Sequence, residues 1–161
     1  MKLVTAMVEC PRGINHKLEY NPEEKHFRLS KILPAGLTFP FDFGFITDTR
    51  GEDGDPLDII VVSEITSFPG IMIECRIVGS LAALQTERDG KTMRNDRYIG
   101  IPVVSQLFSN VRDISDLTEA ILNQMEAFFS NYNEQAGKTF KVLERKNAAA
   151  AYEDIKRQRF N

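Results

Sequence analysis

The 161-residue chain has little of several things, and each shortage excludes something. It has two cysteines, Cys10 and Cys75, with no metal-ligand spacing between them. That rules out a disulfide scaffold or a thiolate metal centre. Two free thiols in a reducing cytoplasm is the expected state, and a single disulfide is the alternative. No run of 18 apolar residues occurs, and Glu9 interrupts the N-terminal segment before a signal-peptide stretch could form. The expectation is a soluble, cytoplasmic protein with no membrane partner. A net charge of −3 gives no electrostatic support for nucleic-acid binding. No repeat, low-complexity tract or linker interrupts the chain, so residues 1–161 read as one domain. At this length a substantial core is possible.

What the chain does have is a concentration of carboxylates. Residues 53–59 read Asp-Gly-Asp-Pro-Leu-Asp-Ile, with Ile60, Val61 and Val62 behind them. Three carboxylates in six positions repel one another and are costly to desolvate unless neutralised. A hard divalent cation such as Mg²⁺ does this with oxygen ligands alone. Gly54 lets the backbone approach a ligand, and Pro56 fixes one φ angle ahead of Asp58. Metal-assisted chemistry on phosphoryl groups follows as the natural expectation. Most acidic turns are simply solvated. The order of these seven residues, with an apolar strand after them, is more specific than an acidic pair. A calcium loop starting at Asp48 fails, because its third position is Arg50.

Around this motif the pattern predicts short strands at 3–9, 15–20, 25–33, 57–63 and 98–104. One or two more fall in 71–84, broken near Gly79. Asp89-Gly90 marks a hairpin in a charged loop. From Leu117 the apolar residues recur through Ile121, Met125, Phe128 and Tyr132, a helical stripe for which Ser115 is the expected N-cap. A short strand at 140–142 and a last helix capped by Asn147 complete the chain. Strands followed by helices indicate an α+β domain.

The segment Asp53-Gly54-Asp55-Pro56-Leu57-Asp58-Ile59 resembles the signature of the soluble, family I inorganic pyrophosphatases. The resemblance runs from about Val8 to about Ile155. It implies a small, twisted five-stranded β-barrel of oligonucleotide-binding type flanked by C-terminal helices. It also implies Mg²⁺-dependent hydrolysis of pyrophosphate, with Mn²⁺ as an alternative ion. By the same resemblance Asp53 and Asp58 ligate the metal and Asp55 takes a proton from the attacking water. Glu9 and Glu19 act mainly through metal-bound water. Lys17, Lys31, Arg97 and Tyr132 hold phosphate. The family also implies a homo-oligomer, and the short, bacterial-type length favours a hexamer over a dimer.

Several positions depart from the family's pattern. Lys31 stands where arginine is usual and so lacks the bidentate fork. The tyrosines of the Tyr-Pro-x-x-Tyr-Gly segment are Phe39 and Phe43. Phe39 is expected in the core, and Phe43 at the edge of the site. In the second acidic cluster Glu87 stands for the first acid, Asn95 for the second and Arg97 for the lysine. An amide is a poorer Mg²⁺ ligand than a carboxylate, so Asp96 is expected to take that place. Asn133 replaces a lysine, which removes one cation. The competing readings are a hydrolase of another phosphoanhydride and a weakened, non-catalytic phosphate-binding relative.

Overall fold

A computed structural model of the chain describes residues 2–160. Nine strands are found among them: β1 (Leu3–Cys10), β2 (His16–Asn21), β3 (His26–Ile32), β4 (Asp42–Ile46), β5 (Asp58–Val61), β6 (Met72–Thr86), β7 (Thr92–Arg94), β8 (Arg97–Pro102) and β9 (Thr139–Asn147). Two helices follow the barrel strands, α1 (Glu119–Gln135) and α2 (Ala148–Arg157).

The strands pair in the order β1-β4-β5-β8-β6, and β6 pairs back onto β1. This closes a five-stranded barrel, as expected, and removes its edges. Only β5 and β8 run parallel, which places Asp58 beside Arg97. The 15-residue β6 is long enough to leave the barrel. Its first half pairs with β1 and β8, and its second half pairs with β9 and β7. It is one strand, and the expected break near Gly79 is a register shift between Ile77 and Gly79.

Alternation along β5 explains how this sheet makes two cores. Ile59 and Val61 face one way with Val4, Ala6, Val8, Ile46, Ile73, Cys75, Ile77 and Tyr98, one set drawn from all five barrel strands. This is the barrel interior, and Ala151 and Ile155 of α2 pack on it. Ile60 faces outward with Val78, Leu81, Ile99 and Ile101 onto Leu122, Met125, Phe128 and Phe129 of α1. Cys10 and Cys75 are buried free thiols.

β4 carries no clear signal in the sequence, because its residues belong to the aromatic segment after Phe39. Its Gly44 is forced by packing: a Cβ there would lie 1.9 Å from the Met7 carbonyl oxygen on β1. Thr118, not Ser115, caps α1 by accepting from the Ile121 N–H. Ser115 sits in a preceding 3₁₀ turn (Ile114–Asp116) capped by Asp113. Asn147 caps α2 as expected, accepting from the Ala150 N–H at 2.9 Å. The strand expected at 140–142 extends over nine residues, because β6 projects beyond the barrel and offers it a partner.

Candidate active site

A cleft of about 800 Å³ opens where the ends of β1, β2, β5 and β8 meet the C-terminal part of α1. It is lined by Glu9, Lys17, Glu19, Lys31, Asp53, Asp55, Asp58, Arg97 and Tyr132, nine of the ten residues expected to form a site. Strand geometry brings them together. Lys17 and Glu19 are two apart on β2 and share a face, and Lys17 pairs with Lys31 across the β2–β3 hairpin. Lys17 Nζ lies 3.0 Å from Glu19 Oε1. Glu9 Oε2 accepts from the Tyr20 N–H at 2.8 Å, which ties β1 to β2.

The three aspartates occupy a tight turn that enters β5. Asp53 Oδ1 accepts from the Asp55 N–H at 3.0 Å, so the first aspartate shapes the turn that presents the second. Gly54 has φ of +87°, a left-handed conformation that favours glycine, with open space on its side-chain face. Asp53 and Asp55 are exposed to the cleft, and Asp58 is half-buried at the strand entry.

Burial dominates the electrostatics of the cleft. Burial raises Glu9 from 4.5 to about 7, against the Tyr20 N–H that lowers it, and Asp58 adds to the rise. Burial also raises Asp58, with Arg97 and Lys17 pulling the other way. Asp55 is raised by burial and by Asp53 and Glu19. Burial alone would lower the Lys17 ammonium, but Tyr132, Glu19 and Asp58 more than reverse it. Burial likewise opposes ionisation of Glu19, yet Lys17 holds it below its usual value.

These donors fit a hard divalent cation. They are carboxylate oxygens gathered in one cleft, and on Glu9, Asp55 and Asp58 burial, with neighbouring carboxylates, favours the protonated form until a cation neutralises them. Among the described residues no three acidic, histidine or cysteine side chains are grouped closely enough to hold a metal ion by themselves. Mg²⁺ suits such a site, because it commonly takes one or two carboxylates and completes its shell with water and substrate phosphate.

One expected placement is corrected. Asp96 does not take the place of Asn95. Its carboxylate accepts from the Ala83 N–H at 2.9 Å and from Arg94 at 2.9–3.1 Å, and it faces a flanking cavity of about 420 Å³. Asn95 keeps the cleft position, because alternation along the chain entering β8 sends 95 and 97 to one side and 96 to the other. Arg97 lines the cleft, is buried, and donates from Nη1 to Asp58 Oδ2 at 2.7 Å.

Gln85 and Lys138 also line the cleft, without a signal in the sequence that marks them. Gln85, on β6, lines the cleft and accepts from Asn95 Nδ2 at 2.7 Å. Lys138 lines the cleft with Nζ 2.9 Å from Glu87. It is a cation in the cleft, where Asn133 brings none. Asn133 is buried, its Nδ2 donates to the Phe129 carbonyl at 2.7 Å, and its backbone carbonyl accepts the Lys138 N–H at 2.8 Å where the chain leaves α1. Phe39 and Phe43 are both buried and stack at 5.9 Å, and both reach the cleft wall. The Tyr132 hydroxyl is buried without a hydrogen-bond partner, while Lys31 Nζ lies 5.0 Å from its ring centre. A buried hydroxyl with no hydrogen-bond partner among the described residues, beside Lys31 and Lys17, suits a ligand oxygen.

The chain is similar to known proteins along nearly its whole length. Residues 6–160 match the family model described as inorganic pyrophosphatase. The chain is 34% identical to the inorganic pyrophosphatase of Thermus thermophilus over 96% of its own length and 87% of the relative's. It is 36% identical to that of Saccharolobus solfataricus, covering 96% and 88%. The crystal structure of the Thermus thermophilus enzyme superposes with a TM-score of 0.85 at 33% identity, covering 96% of this chain and 88% of that one. The Helicobacter pylori inorganic pyrophosphatase gives 0.88 at 26% identity, covering 97% and 91%.

Proposed function

The chain belongs to the inorganic pyrophosphatase family, and from that premise we propose how its own residues hydrolyse pyrophosphate. It is a hydrolase that converts pyrophosphate and water into two orthophosphates. The observation that carries the mechanism is the meeting of Asp53, Asp55 and Asp58 with Lys17, Lys31, Lys138 and Tyr132 in one cleft.

Asp53 and Asp58 would hold Mg²⁺, with Glu9 and Glu19 binding its waters and Mn²⁺ as an alternative ion. When bound, the ion supplies Lewis-acid polarisation of phosphoryl oxygens and acidifies water. Asp55 accepts the proton of the attacking water. It is exposed to the cleft, has no cationic partner within salt-bridge distance, and burial and Asp53 have raised its basicity. Lys17, Lys31 and Lys138 neutralise phosphate oxygens, and the Tyr132 hydroxyl donates to one of them. Arg97 acts on Asp58 and holds its carboxylate in place.

Among the described residues no helix is long and apolar enough to cross a membrane. A cytoplasmic homo-oligomer, with a hexamer the favoured form, completes the proposal. The test is orthophosphate release from pyrophosphate with Mg²⁺ and with chelator. Release that depends on the ion supports the reading. Equal rates in both, or release only from another phosphoanhydride, would refute it.

A further inference from the structure

One wall of the cleft is unlike the rest. Arg97 is 5% exposed and its guanidinium is held among the rings of Phe43, Phe129 and Phe140, at 5.6, 4.8 and 5.2 Å from their centres. Its Nη1 donates both to Asp58 Oδ2 and to Asn95 Oδ1. Asn95 Nδ2 donates to Gln85 Oε1 at 2.7 Å, and Gln85 Nε2 donates to Glu87 Oε1 at 2.8 Å. Glu87 ends the chain on Lys138.

The direction of this chain is fixed from both ends. Arginine only donates, so the Asn95 atom facing it must be oxygen. An ionised carboxylate only accepts, so the Gln85 atom facing Glu87 must be nitrogen. Each amide oxygen between them is therefore already engaged. The guanidinium cannot lose its charge, and packing among three rings leaves it little room to swing away. Asp58 thus has a permanent cation on one oxygen and only the other free. The two side chains that face each other across this wall, Gln85 and Asn95, carry no charge.

We propose that Arg97 and the Gln85–Asn95 amide pair form a built-in cation arm that takes the place of a divalent ion along this wall. Ion binding is then confined to the side of Asp53 and the free oxygen of Asp58. The same cleft with acids at 85 and 95 would draw a further ion between them, because a second pair of carboxylates beside Asp58 would need neutralising. This rests on reading the cleft as a divalent-cation site, and it adds which wall uses protein charge instead.

The experiment counts Mn²⁺ bound per chain by equilibrium dialysis, without substrate, in the wild type and in Gln85→Glu/Asn95→Asp. The substitutions keep shape and change only charge. The double variant is expected to bind one more Mn²⁺ per chain, or to bind its last ion at least about tenfold tighter, as a charged ligand set requires. Should the double variant not fold, Asn95→Asp alone is expected to tighten the last site in the same direction. Equal numbers and equal affinities in wild type and variant overturn the proposal while leaving the cation site intact. A wild type that binds no Mn²⁺ overturns both.

Discussion

Glu9 carries the clearest residue-scale consequence. Its pKa is raised to about 7, with burial as the largest cause. Without metal, the native state therefore holds a proton between pH 4.5 and about 7 that the unfolded state has released. Stability falls as pH rises through that window and is fully present below it. Glu9→Gln mimics the protonated acid and keeps an oxygen for the Tyr20 N–H. It is expected to match wild type in acid and to be more stable above neutrality by on the order of 1–3 kcal/mol. Denaturant melts of metal-free protein across that range check this. A variant no more stable at high pH would show that the Glu9 charge is not strained. Tyr132→Phe makes a separate point. The hydroxyl has no partner, so its loss is expected to leave stability unchanged or slightly improved. The KM for pyrophosphate is expected to rise roughly 10–100-fold, the value of one hydrogen bond to a charged oxygen. A fall in melting temperature with KM unchanged would count against a substrate contact.

Elements show where sequence and structure part. The five barrel strands close because residues alternate between two cores, and four of them were legible from apolar runs. β4 was not, since Phe43, Gly44 and Phe45 suit an aromatic cluster as well as a strand. The feature that settles it, contact with β1, is tertiary. Gly44→Ala tests this element. Its methyl would meet the Met7 carbonyl 1.9 Å away, so β1 and β4 must separate. A loss of at least about 2–3 kcal/mol is expected, the scale of overpacking. Near wild-type thermal stability would mean the barrel yields more readily than its geometry indicates. The altered acidic loop was legible in its residue types but not in its facing. Asp96 and Asn95 differ by one position, and only the start of β8 decides which one enters the cleft. Lys138 was hidden for a similar reason, because a helix end, not a motif, brings it to the site.

At the scale of the whole molecule, the aspartate turn identified from seven residues is the floor of the cleft, and its partners come from strands and a helix spread along the chain. A bound ion should therefore stabilise the fold by mass action, by about 2.7 kcal/mol when its concentration is 100 times Kd. Wild type is expected to melt higher in Mg²⁺, and Asp58→Ala to show little of that shift. Equal shifts in both would remove Asp58 from the ligands. The most direct test of the central claim is the rate of orthophosphate release from pyrophosphate at saturating Mg²⁺ and neutral pH, compared between wild type and Asp55→Asn. The amide keeps the shape of the turn but cannot take the proton of the attacking water. The account predicts a rate lower by roughly 10²–10⁴-fold with the fold retained. An Asp55→Asn protein that turns over like wild type would contradict it.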